Sequence, residues 1–151
     1  MERGAIIAAT IIVLAILVWG LGFLLRGGLG PPSSAEVVAA FEDAGLAVGQ
    51  SYPLEQEPGY KNSPLPKAYE EGTRFEIPYL GKNEGGRVFV FENREDLAVV
   101  RDYYKELENM PLFGPSLHSH LYDDGLVLLQ INGELPKPDA DRYGEVLGEE
   151  V

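Results

Sequence analysis

Ala5 to Leu25 is a run of 21 residues without a charged side chain, AIIAATIIVLAILVWGLGFLL. At about 1.5 Å rise per residue a helix over this run is about 31 Å long. A bilayer hydrocarbon core is about 30 Å thick, so the run spans it nearly upright. In hydrocarbon every backbone N–H and C=O must bond internally, which a helix achieves. Arg3 and Arg26 bracket the run, and Trp19 lies nearer the Arg26 end, where an amphipathic ring suits the interface. Ala5, Val13, Trp19 and Leu25 thus mark the ends, the middle and the interfacial ring of a predicted membrane anchor. A cleaved export signal has a shorter apolar core, about 7–15 residues, before a small-residue cleavage site. Here the run is longer, and the small residues after it lead straight into Pro31 and Pro32, a poor mature start. A helix buried in a soluble core would carry a polar stripe, and no face of this one does.

The cations near the two ends nearly tie, Arg3 against Arg26, and the free amino terminus tips the count toward the short side. The expected topology is single-pass in a bacterial cell membrane. Residues 1–4 form a cytoplasmic N-terminal stub, 5–25 the transmembrane helix and 26–33 a Gly/Pro linker. Residues 34–148 form an extracytoplasmic α+β domain, and 149–151 an acidic tail. The formal net charge is −12, and the part after Arg26 carries −13 because Arg3, Arg26 and Glu2 together contribute +1. Such an acid excess disfavours nucleic acid and anionic head groups as partners. The expected partners are the bilayer, through the N-terminal helix, and an envelope protein or cell-wall component. With no cysteine in the chain, disulfides, thiolate chemistry, zinc–thiolate sites and a lipidated cysteine are excluded.

After the linker, Ser33 and Glu36 have capping-box spacing, and Val37, Val38, Phe41 and Ala44 recur at helical period before Gly45. This predicts a first helix over about 34–44. A short edge strand is expected within 46–52. The Pro-, Gly- and Tyr-rich stretch that follows reads as a long loop, with one helical turn from Pro66 to Glu71. TRFEIPYL alternates, with Phe75, Ile77 and Tyr79 on one face, and Pro78 puts this strand at an edge or a bulge. In RVFVFE both faces are apolar, which predicts a central strand. Asn93, with Asp96 three residues on, caps a helix whose buried stripe is Leu97, Val100, Tyr104 and Leu107. LHSHLY and LVLLQIN flank Asp124–Gly125, a hairpin signal. Asp139 is expected to cap a last helix buried through Ala140, Tyr143 and Leu147. The predicted fold is therefore α+β. One helix is followed by two ββα units, whose hairpins make one antiparallel sheet with helices covering one face.

Candidate chemistry is sparse. His118 and His120 are the only histidines, and on a strand positions i and i+2 share a face, so two imidazoles can meet one metal. The facing strand offers no carboxylate as a third ligand, and two solvated polar residues are the plainer reading. Ser119 points to the opposite face and lies in no G-x-S-x-G elbow. The glycines of GKNEGGR sit between two strands, where a phosphate-binding helix would be needed. The Tyr-rich stretch is the better binding candidate, through Tyr52, Tyr60 and Tyr69, because tyrosine gives contact area at low entropy cost. The alternative is a flap packed on its own domain. No cofactor is expected.

Three segments carry a family resemblance. Gly72, Arg74, Phe75, Ile77, Pro78, Gly81, Gly85, Gly86 and Arg87 form the first. Asp96, Leu97, Tyr103 and Tyr104 form the second. Gln130, Ile131, Asn132, Gly133, Leu135 and Pro136 form the third. In these, over about Glu36 to Leu147, the chain resembles small exported proteins of Gram-positive bacteria loosely labelled "stress protein" or "lipoprotein". The resemblance implies an extracytoplasmic domain and carries over no catalytic residues. Lacking the lipidated cysteine, this chain would use its apolar run as the tether. The expected function is a single-pass, non-catalytic envelope domain with a binding or accessory role. The alternative is a small extracytoplasmic metal-dependent protein or enzyme using His118 and His120.

Overall fold

The computed structural model describes residues 30–111 and 117–150. Among these no helix is long and apolar enough to cross a membrane. The anchor positions Ala5, Val13, Trp19 and Leu25, and linker residues 26–29, lie outside the described residues. From Pro31 onward the chain forms one compact unit.

Helix α1 spans Ser34–Asp43 and opens on the expected capping box: the Ser33 hydroxyl accepts from Glu36 N–H at 3.2 Å, and the Glu36 carboxylate accepts from Ser33 N–H at 2.8 Å. It buries Val37, Val38, Ala40 and Phe41. Ala44, expected in that stripe, is exposed, because the helix ends one residue before it. Strand β1 is only Ser51–Pro53. Strands β2 (Glu71–Glu76) and β3 (Gly85–Val90) form the first hairpin, and α2 (Arg94–Glu108) follows, with the Asn93 side chain accepting from Asp96 N–H at 2.9 Å. Strands β4 (Ser119–Asp124) and β5 (Val127–Asn132) form the second hairpin, and α3 (Lys137–Glu150) closes the chain.

All pairings are antiparallel, and the order across the sheet is β1-β2-β3-β5-β4. The α+β class, the two ββα units and the central place of β3 therefore agree with the sequence reading. One-sided coverage does not. Helices α1 and α3 pack on Phe75, Val88, Val90, Val127, Leu129 and Ile131 on one face. The second face, with Phe89 and Leu128, is covered by Leu97, Val100 and Tyr104 of α2 and by Leu54 and Leu65 of the long loop. Strands apolar on both faces leave too much area wet unless both are covered.

Three local expectations are corrected. The segment 66–70 forms no helix, and Glu71 already belongs to β2. Glu70 N–H bonds to the Val90 carbonyl at 2.9 Å, so sheet pairing takes the donor a helical turn would need. Tyr79 does not join Phe75 and Ile77: Pro78 opens a 3-10 turn over Pro78–Leu80, leaving Tyr79 75% exposed. Helix α3 starts two residues before Asp139, with the Pro136 carbonyl accepting from the N–H groups of Asp139 and Ala140 at 2.9 and 3.0 Å. Asp139 lies in the first turn, where its charge suits the helix dipole.

Candidate binding cleft on the second face of the sheet

Side chains alternate across a pleated sheet, so residues in register on one face form a row. Arg74, Arg87 and Gln130 are such a row, each opposite the next on β2, β3 and β5. Arg87 shares its face with Phe89 and Phe91, a charge placed where the pattern buries rings. The row lies under α2 and the strap between Leu54 and Leu65. These two leucines are 0% and 7% exposed, and no residue between them is buried. The strap turns at Gly59, in the left-handed region, into a 3-10 turn at Tyr60–Asn62.

Between strap, sheet and the C-terminal half of α2 lies a cleft of about 410 Å³. Arg74, Arg87 and Gln130 form its floor, and Glu57, Tyr60, Tyr103 and His118 are among its walls. Glu57 reaches down from the strap. Arg87 donates to it twice, Nε to Oε2 at 3.1 Å and Nη2 to Oε1 at 2.5 Å, and gives Nη1 to Gln130 Oε1 at 3.1 Å. Gln130 passes the chain on, donating to Ser119 Oγ at 3.0 Å. Arg74 is 6% exposed, and its Nη2 donates to the Asn83 carbonyl. Its Nη1 stands 3.6 Å from Glu57, and its Nε is buried without a hydrogen-bond partner.

Two guanidiniums thus share one carboxylate. Burial lowers the Arg74 pKa, Arg87 repels it further, and Glu57 offsets part of this. At Arg87 burial also opposes the charge, but the Tyr104 oxygen and Glu57 outweigh it and raise the pKa. Both cations stay charged at neutral pH. A further carboxylate lining the cleft, Glu84, is exposed and accepts from Asn132 Nδ2 at 2.8 Å.

The tyrosines expected as binding candidates separate. Tyr60 lines the cleft, with Lys67 Nζ 4.6 Å from its ring centroid. Tyr69 stands behind it, its ring 5.1 Å from Phe89 and its hydroxyl donating to Tyr60 at 3.0 Å. Burial, then Tyr60, holds the Tyr69 pKa well above the usual value. Tyr52 is opposite Arg74 on β1, half-buried, and is not in the cleft wall. The histidine rings do approach, with centroids 5.0 Å apart. They turn to different partners: His118 Nδ1 to Glu108 Oε1 at 3.0 Å, and His120 Nε2 to the Leu135 carbonyl at 2.7 Å. Among the described residues no three His, Cys, Asp or Glu side chains are grouped to hold a metal ion.

Sequence reasoning passed over Glu57, Arg74, Arg87 and Gln130 as site residues. A signal was present: Arg74, Arg87, Tyr103, Tyr104 and Gln130 all belong to the three motif segments, and the fold brings all five to this cleft. No family model, curated protein or solved structure matches the chain.

Proposed function

We propose that the chain is a single-pass, membrane-anchored bacterial protein whose extracytoplasmic α+β domain is a non-catalytic binding module, related to the small exported "stress protein" or "lipoprotein" group. The cleft over the second face of the sheet is its binding site. The observation that carries the reading is the arginine pair on the cleft floor, Arg74 buried and Arg87 half-buried. Holding one buried and one half-buried guanidinium against a single carboxylate costs stability that an apolar row would not, so recognition is the better reason for their presence. The polar side chains around them are tied into holding one another. Ser119 Oγ accepts from Gln130, and His118 turns to Glu108, so the two are engaged with other partners rather than with each other. That arrangement supports binding over the alternative of histidine-based chemistry.

The anchor rests on the length and apolarity of residues 5–25. Val13→Lys places a charge near the middle of the run and should cost about 2.5–3.5 kcal/mol of insertion. The protein should then leave the carbonate-resistant membrane fraction; unchanged retention would remove the run as anchor. Protease added to intact cells should release the domain while a cytoplasmic control survives. The binding role is tested by crosslinking the full chain in membranes and identifying what joins it. Recovery of the chain alone, in wild type and in Arg74→Gln alike, would count against a binding module.

A further inference from the structure

The Arg74–Glu57–Arg87 triad is asymmetric in a way that names a ligand. Glu57 accepts two hydrogen bonds from Arg87 yet only approaches Arg74, which is left with an unpartnered Nε in a position 6% exposed. The fork of a guanidinium matches the two oxygens of a carboxylate, and Glu57 displays that match on Arg87. Glu57 comes from a strap segment with no buried residue of its own, between the anchors Leu54 and Leu65. Its carboxylate therefore reaches Arg87 from a segment that no buried side chain of its own pins down.

We propose that the Arg74–Arg87 pair is the seat for a ligand carboxylate, which takes the place of Glu57 and is held by both guanidiniums. The inference rests on the binding-module reading and supplies its ligand class: a small organic monocarboxylate whose body fills a cleft of about 410 Å³. Charge selects a monoanion. With Glu57 displaced, the two cations stand against the rim carboxylate Glu84, which leaves one positive charge for a monoanion to match, and a phosphate dianion there would bring charge in excess. The body of the ligand meets Tyr60, Tyr103 and Leu107 on the walls.

The test uses the full chain in an uncharged detergent, titrated calorimetrically with matched acid and neutral pairs: glucuronate against glucose, and benzoate against benzyl alcohol. Inorganic phosphate is the anion control. At least one acid should bind saturably and at least about tenfold more tightly than its neutral partner, with phosphate weaker. Glu57→Gln removes the internal competitor, so it should tighten acid binding about tenfold even where it lowers the melting temperature. A merely structural Glu57 would lower stability and leave affinity unmoved. Arg74→Lys should weaken the acid about tenfold while the far-ultraviolet dichroism stays native, since one ammonium replaces the fork. Acids no better than neutral partners, phosphate equal to the acids, or Glu57→Gln without gain in affinity would each overturn the proposal. Crosslinked partners found in membranes together with a flat titration would sink this ligand class and leave the binding module standing.

Discussion

At His120 the Nε2–H donates to the Leu135 carbonyl, tying edge strand β4 to the turn before α3. The side chain is half-buried, whereas His118 is 46% exposed with its Glu108 partner beside it. The H-x-H pattern suggested two solvated residues or two metal ligands. The sequence could not announce that one ring is spent on a backbone carbonyl 15 residues on. His120→Ala should therefore lower unfolding free energy by about 1 kcal/mol, leaving a part-buried carbonyl short of its donor. His118→Ala should cost about 0–0.5 kcal/mol, as exposed pairs do. Urea denaturation of both variants checks the order, and a larger loss at His118 would contradict these assignments. The arginine pair was equally hidden for a physical reason. Alternation tells which face a residue takes, but not whether a helix and a strap will later cover that face. Alternation puts Arg74 on the face opposite Phe75, and the cover over that face brings it to 6% exposed.

Among elements, the legible ones were those whose signal is local. The capping box before α1, the Asn93 cap of α2 and the Asp124–Gly125 hairpin arise from contacts within a few residues, and strand β3 shows its two apolar faces in six consecutive positions. The strap from Leu54 to Leu65 gave no such signal. Its two buried leucines have neither a helical nor a strand period between them, and its order comes from Phe89, Tyr104 and the other side chains it packs on. Helix α3 carries a less obvious element-level constraint at Gly144. In an exposed helix Gly→Ala gains up to about 1 kcal/mol from propensity. Here an added Cβ would stand 2.4 Å from the Tyr122 ring, whose hydroxyl donates to Asp141 at 2.7 Å and so cannot swing aside freely. Overpacking costs about 1–3 kcal/mol and exceeds the propensity gain. Gly144→Ala should be destabilising, and Gly144→Ala with Tyr122→Leu should recover most of the loss. A stabilised single variant would show that α3 does not lie this close to β4.

For the whole molecule, both hydrophobic clusters among the described residues are built between Val37 and Leu147. A chain beginning at Pro31 should fold cooperatively without lipid, its acid excess keeping it soluble. Its tyrosines provide the check, because the only tryptophan, Trp19, is absent from that fragment. Burial pushes the Tyr104 hydroxyl up to about 12, and Tyr69, Tyr103, Tyr122 and Tyr143 are raised chiefly by burial as well. Unfolded tyrosine titrates near 10. Between about pH 10 and 12 the unfolded chain therefore loses protons that the folded chain keeps, and stability must fall as pH rises. The contribution is whole below about pH 10 and disappears as pH passes the folded value. For Tyr104 alone the slope is about 1.4 kcal/mol per pH unit in that window. The acid side has the opposite sign. Lys137, then Tyr122, holds Asp141 below its usual value, so that contribution is present at neutral pH and fades as the carboxylate protonates. The fragment should show tyrosinate absorbance delayed beyond pH 10 and then rising together with loss of the far-ultraviolet signal. Tyr104→Phe should flatten the alkaline decline. The full chain in uncharged detergent should follow the same alkaline curve, since all eight tyrosines lie after Pro31. Free titration of every tyrosine near pH 10 in the fragment, with delay only in the full chain, would mean that the domain depends on its N-terminal segment to fold.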